Sequence, residues 1–102
     1  MADSFSAEIY RLAGQIPAGR VCTYGTLAML AGRPGAGRTV GWLMSRAPEG
    51  LPAHRVLNRR GEMSPPEVFG EGVQRSLLEA EGITFGLDGR VDIKAHLWEG
   101  EE

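Results

Sequence analysis

The 102-residue sequence predicts one small, mainly helical α/β domain of the winged-helix type, with a helix-turn-helix at its centre. Three observations carry this. Ile9, Leu12, Ala13 and Ile16, and later Val40, Leu43, Met44 and Ala47, recur at the i, i+3, i+4, i+7 spacing of one helix face. Gly32-Arg33-Pro34-Gly35 joins two short helical stretches by a tight glycine-containing turn, the second of them flanked by arginines. Near the end, two β-prone runs, residues 83–86 and 90–93, flank Asp88-Gly89, a favoured hairpin turn pair.

In chain order, the first helix is expected over 4–16, capped by Ser4 or Asp3 and ended by Pro17-Ala18-Gly19. Arg20-Val21-Cys22-Thr23 is short and β-prone. A second helix follows from about Tyr24 to Leu30, with Leu27, Ala28 and Leu30 inward, and a third from about Ala36 to Arg46. His54–Leu57 reads as a short strand and Asn58-Arg59-Arg60-Gly61 as a turn. Pro65-Pro66 and two glycines make 62–72 a loop. A fourth helix is expected from Gly72 to Glu81, with Val73, Leu77, Leu78 and Ala80 apolar and Gly82 as its C-terminal stop.

Composition narrows the classes. A chain that is 42% hydrophobic and 24% charged is ordinary for a soluble domain. No apolar run approaches the ~20 residues that span a bilayer, and Met1-Ala2-Asp3-Ser4 lacks the basic and apolar regions of a signal peptide. The single cysteine, Cys22, excludes an internal disulfide and a cysteine metal cluster, and His54 and His96 lie far apart in sequence. The expectation is a cytoplasmic monomer with no metal or cofactor and no membrane partner.

Charge is segregated. Residues 9–60 carry eight arginines (11, 20, 33, 38, 46, 55, 59 and 60) against Glu49, whereas residues 61–102 carry ten acids against Arg75, Arg90 and Lys94. A block of arginine of this kind is the footprint of a phosphate-binding face, and an acidic tail ending in Glu99–Glu102 is not.

Within the arginine-rich part, Pro52-Ala53-His54-Arg55-Val56 is distinctive for what it lacks. A cysteine beside a histidine is a reactive nucleophile because the imidazole favours the thiolate. Ala53 holds that place here, and a methyl group can neither attack nor donate a proton. The stretch resembles the Pro-Cys-His-Arg-Val motif of the alkylguanine-DNA alkyltransferases with its cysteine replaced, which is the mark of the alkyltransferase-like proteins. Three further segments resemble the same family in order: Ile16–Val21 with Thr23-Tyr24-Gly25, Pro34–Gly41, and Leu77–Gly82. The resemblance covers nearly the whole chain and implies the helix-turn-helix fold of the alkyltransferase C-terminal domain.

By this resemblance, Arg38 matches the finger that enters the base stack through the minor groove and fills the place of an extruded nucleotide, a role suited to a flat guanidinium. Tyr24 matches the tyrosine that presses on the phosphate beside the lesion. Ala36, Gly37, Thr39 and Gly41 are the small residues around the finger; they serve either close approach to DNA or tight helix packing. The lesion pocket is expected around Tyr24, Pro52, Ala53, His54, Arg55 and Val56. His54 and Glu81 match the pair that activates the enzymes' cysteine, and without a thiol they become supports of the pocket. Arg55 is expected beside a buried carboxylate or carbonyl. Ala47 stands where the enzymes have asparagine, Ala53 where related proteins often have tryptophan, and Pro65 and Pro66 where some have basic residues at the lesion.

The implied function is a non-enzymatic sensor that binds duplex DNA containing O6-alkylguanine, flips the base and flags it for nucleotide excision repair proteins, associated with the nucleoid when DNA-bound. Flipping is required because a pocket cannot read a base from all sides within the stack. Two other readings stay open from the residues: an alkyltransferase working through Cys22, and a helix-turn-helix module without lesion preference.

Overall fold

The computed structural model describes residues 4–100. Six α-helices, α1 (Ser4–Ala13), α2 (Tyr24–Leu30), α3 (Gly37–Ser45), α4 (Pro66–Phe69), α5 (Val73–Ala80) and α6 (Ile93–His96), surround two short strands, β1 (Cys22–Thr23) and β2 (Val56–Leu57). The domain is mainly helical with a small sheet, as the sequence predicts. Asp3, a candidate cap of the first helix, and Glu101 and Glu102 of the acidic tail lie outside the described residues.

The small sheet divides the interior. β1 and β2 pair in parallel, Cys22 opposite Val56 and Thr23 opposite Leu57. Because side chains alternate along a strand, Cys22 and Val56 face one core with Phe5, Ile9, Leu27, Val40, Leu43, Ala53 and Trp98. Val21 and Leu57 face a second core with Leu78, Ile83 and Val91. The chain end is tied in beside β1: Val21 donates to the His96 carbonyl (2.9 Å) and Trp98 donates back to the Val21 carbonyl (2.7 Å). Trp98 is thereby fully buried, while Glu99 behind it is exposed.

The helix-turn-helix is α2, the turn 31–36 and α3. Thr23 caps α2 through its Oγ1, which accepts the Thr26 N–H at 3.1 Å. Helices α2 and α3 meet through glycine: a Cβ on Gly37 would stand 3.5 Å from the Gly25 nitrogen, and one on Gly41 3.7 Å from the Tyr24 ring. Both glycines therefore turn toward α2, where small residues permit close helix packing.

Several boundaries differ from the sequence reading for identifiable reasons. α1 ends at Ala13, and Ile16 reaches the core through tightened i→i+3 turns in which Gln15 donates to Leu12 and Ile16 to Ala13. Ala53–Arg55 forms a 3₁₀ turn and only Val56–Leu57 is extended. His54 and Arg55 both reach Glu81, and successive residues of a strand, which point to opposite faces, do so less readily. The expected loop 62–72 contains α4, started by Pro66 at its first position. α5 buries Gln74 and Leu78 and leaves Val73 and Leu77 exposed. The expected hairpin is reduced to one antiparallel bridge, Phe85 with Val91, and its turn runs from Gly86 to Gly89 with Leu87 and Asp88 at the corner.

Candidate functional site

A cavity of about 290 Å³ opens between the helix-turn-helix and the segment after β2. α2 and α3 supply one side of it, with Tyr24, Gly41, Met44 and Ser45. The 3₁₀ turn and β2 supply its floor through Ala53 and Val56, and the opposite side is Ser64, Pro65 and two residues of α4, Val68 and Phe69. No charged side chain of the described residues lines it. At the mouth, the Tyr24 hydroxyl lies 3.4 Å from Ser64 Oγ.

Of the residues expected around a pocket, the structure brings Tyr24, Ala53 and Val56 to this wall. Pro52, His54 and Arg55 stand behind it. Ala53 is buried and its side chain ends at the methyl group, so nothing there can act as a nucleophile. Behind it, Glu81 accepts from Arg55 at Oε1 (3.0 Å, from Nε) and at Oε2 (2.7 Å, from NH2). His54 Nε2 lies 2.9 Å from the same Oε2. An ionised carboxylate only accepts, so this histidine nitrogen carries the proton. Arg55 spends its remaining reach on the Ile16 carbonyl (2.8 Å), which anchors the 3₁₀ turn to the end of the first helical region.

Burial alone would push the Glu81 carboxyl up, but the hydrogen bonds and positive charge of Arg55 and His54 outweigh it and hold the group below the ordinary carboxylate range. The cluster is a closed, charge-compensated support. Gln74 extends it: its Nε2 donates to the His54 carbonyl (3.1 Å) and its Oε1 accepts the Ser64 N–H (2.7 Å). Floor and opposite wall of the cavity are thus joined by one buried amide.

Arg38 is exposed in the first turn of α3. A cation at the positive end of a helix gains nothing for folding, and Arg38 forms no ion pair with a described residue. Thr39 is exposed beside it, and Ala36 precedes the helix without a side-chain cap. The same face carries Trp42, 57% exposed, with the Arg46 guanidinium 4.6 Å over its ring. The arginine block divides on inspection. Arg11 pairs with Glu8, Arg20 holds the His96 and Leu97 carbonyls and Arg55 holds Glu81, whereas Arg33, Arg38, Arg46, Arg59 and Arg60 are exposed.

Cys22 is fully buried in the core between the helices and does not line the cavity. Among the described residues no group of three histidine, cysteine or acidic side chains could hold a metal ion, and no helix is long and apolar enough to cross a membrane.

The family model for the DNA-binding domain of 6-O-methylguanine DNA methyltransferase matches residues 4–83. The DNA base-flipping protein of Escherichia coli is 42% identical over 100 residues, covering 94% of this chain and 75% of that protein. Alkyltransferase-like protein 1 of Schizosaccharomyces pombe is 40% identical over 84 residues, 79% of this chain and 78% of its own. The chain is an alkyltransferase-like protein of this family. The structure of S. pombe Atl1 in complex with damaged DNA containing O6-carboxymethylguanine is similar to this alkyltransferase-like chain with a TM-score of 0.80 at 30% identity, covering 96% of this chain and 97% of that one.

Sequence reading of the alkyltransferase-like chain missed Met44 and Ser45 as cavity residues, and Ser64, Val68 and Phe69 because their segment was expected to be a loop. Gln74 left a usable signal: it sits four residues before Leu78 and seven before Glu81, a polar residue on the inward register of its helix.

Proposed function

We propose that this protein binds duplex DNA containing O6-alkylguanine, rotates the modified nucleotide into the cavity beside Ala53, and does not remove the alkyl group. The carrying observation is Ala53 itself. Its methyl group forms the cavity floor in front of the His54–Glu81 pair, where an alkyl-accepting thiol would stand. Arg38, at the exposed start of α3, is the residue that fills the vacated place in the stack. Tyr24, whose ring lines the cavity and whose hydroxyl is at its mouth, presses on the neighbouring backbone.

The relatives support the DNA-binding part of this reading through a base-flipping protein and a damaged-DNA complex. An enzyme acting through Cys22 is disfavoured by the burial of that thiol, since a thiolate nucleophile needs access to its electrophile. The test is stoichiometric incubation with a duplex carrying one O6-methylguanine, followed by intact mass of both protein and DNA. Both masses unchanged is the expected result; a protein heavier by one methyl group rejects the non-enzymatic reading.

The output assigned to the bound complex is recruitment of nucleotide excision repair. The acidic last third of the chain, opposite in sign to the α3 face, is the surface offered for it, with Glu99 exposed at its described end. Alanine at Glu99, Glu101 and Glu102 is expected to weaken co-purification with excision-repair proteins on lesion DNA. Unchanged co-purification would remove the tail from this role.

A further inference from the structure

The cavity wall says which O6 groups it suits. Its side chains are apolar apart from the Tyr24, Ser45 and Ser64 hydroxyls, and no described cation lines it. The segment that forms the wall opposite α3, residues 62–71, contains Glu62, Glu67 and Glu71 and neither lysine nor arginine. Glu67 and Glu71 are exposed. Glu62 accepts from Asn58 at 2.9 Å and is 3.8 Å from Arg90. The exposed arginines 33, 38, 46, 59 and 60 are all outside the lining.

Taking the proposed lesion binding as its basis, we infer that this cavity selects guanines bearing uncharged, apolar O6 groups larger than methyl and discriminates against anionic ones such as O6-carboxymethyl. An apolar chain gains with each methylene removed from water. The floor leaves room for it because Ala53 projects only a methyl group, and Met44 is an unbranched, adaptable neighbour. A carboxylate in the same place loses its hydration and meets no cation, while a serine or tyrosine hydroxyl supplies a hydrogen bond without neutralising the charge. The acids of residues 62–71 add repulsion. Atl1 of S. pombe, captured on carboxymethylated DNA, would then differ from this protein in the adducts it favours.

The experiment compares dissociation constants at one fixed salt concentration for five duplexes identical except at one site: guanine, O6-methyl-, O6-n-butyl-, O6-carboxymethyl- and the neutral O6-carbamoylmethylguanine. The expected order places n-butyl about tenfold tighter than methyl and carboxymethyl about tenfold weaker than its neutral isostere carbamoylmethyl. Pro65→Lys, at an exposed position of the wall, is expected to erase most of the carboxymethyl deficit. If carboxymethyl and carbamoylmethyl bind alike, and both bind more tightly than guanine, the inference fails while lesion binding stands. If all five duplexes bind alike, lesion binding itself fails and takes the inference with it. The comparison of the two isosteres needs no variant, so it decides the charge question even where Pro65→Lys misfolds.

Discussion

Gln74 donates to the main-chain carbonyl of His54 from 3.1 Å, and it does so from a helix that contributes nothing else to the cavity floor. Its other amide atom holds the Ser64 N–H at 2.7 Å. One buried side chain, 3% exposed, therefore sets the separation between the turn that carries Ala53 and the wall that faces it.

Replacing Gln74 with leucine keeps the volume and strands two backbone groups. The expected cost is about 2 kcal/mol in stability, read from urea unfolding. Affinity for a lesion duplex should fall more than affinity for the unmodified duplex, because cavity geometry is disturbed while the α3 face is not. Equal losses on both duplexes would show that Gln74 acts on folding alone.

Glu81 gives a pH prediction. Its carboxyl titrates below its ordinary value in the folded protein because Arg55 and His54 outweigh the penalty of burial. A lowered folded value means the stabilisation is fully present above the unfolded value of about 4.3 and is lost as pH falls through the folded one. Glu81→Ala should cost about 3 kcal/mol near pH 7, since it leaves Arg55 without its carboxylate. The gap between wild type and variant in unfolding free energy should close as the pH drops below 4. A gap constant down to pH 3 would contradict the assignment.

Gly61 is a fixed point of the fold. It is buried with φ of 74°, and a Cβ there would overlap the Val91 carbonyl oxygen. Its own carbonyl accepts the Val91 N–H at 2.9 Å, so the two segments cannot separate without losing that bond. Gly61→Ala combines a left-handed backbone with a backbone clash and should cost about 3 kcal/mol. A urea midpoint within error of wild type would be inconsistent with this packing.

The core was largely legible. Ile9, Leu12, Ala13 and Ile16 are all buried as their spacing predicts, and so are Val40, Leu43 and Met44. Periodicity works there because both helices face a single core. It misled at α5, where Val73 and Leu77 are apolar yet 41% exposed. The inward register there belongs to Gln74 and Leu78, because the cavity requires a polar bridge and hydrophobicity alone cannot reveal that. The Pro52–Val56 stretch showed the missing nucleophile but not the 3₁₀ turn, which depends on Glu81, a residue 26 positions from Arg55. The wall made by Val68 and Phe69 was hidden by Pro65-Pro66, which read as loop although proline also starts helices.

Trp42 offers an optical handle on the α3 face. It is 57% exposed, whereas Trp98 is fully buried, so a ligand on α3 should change only the first. Addition of duplex DNA should alter the intensity or maximum of tryptophan emission, and Trp42→Phe should abolish the change. A DNA-dependent signal surviving in Trp42→Phe would place the contact elsewhere or imply a rearrangement around Trp98.

The most direct measurement is the affinity of wild type and Arg38→Ala for two short duplexes that differ by one O6-methylguanine, at one salt concentration. The account predicts a clear wild-type preference for the modified duplex, and in Arg38→Ala a loss of about tenfold on that duplex with a smaller loss on the unmodified one. Equal wild-type binding to the two duplexes would contradict it and leave a helix-turn-helix module that does not sense the lesion.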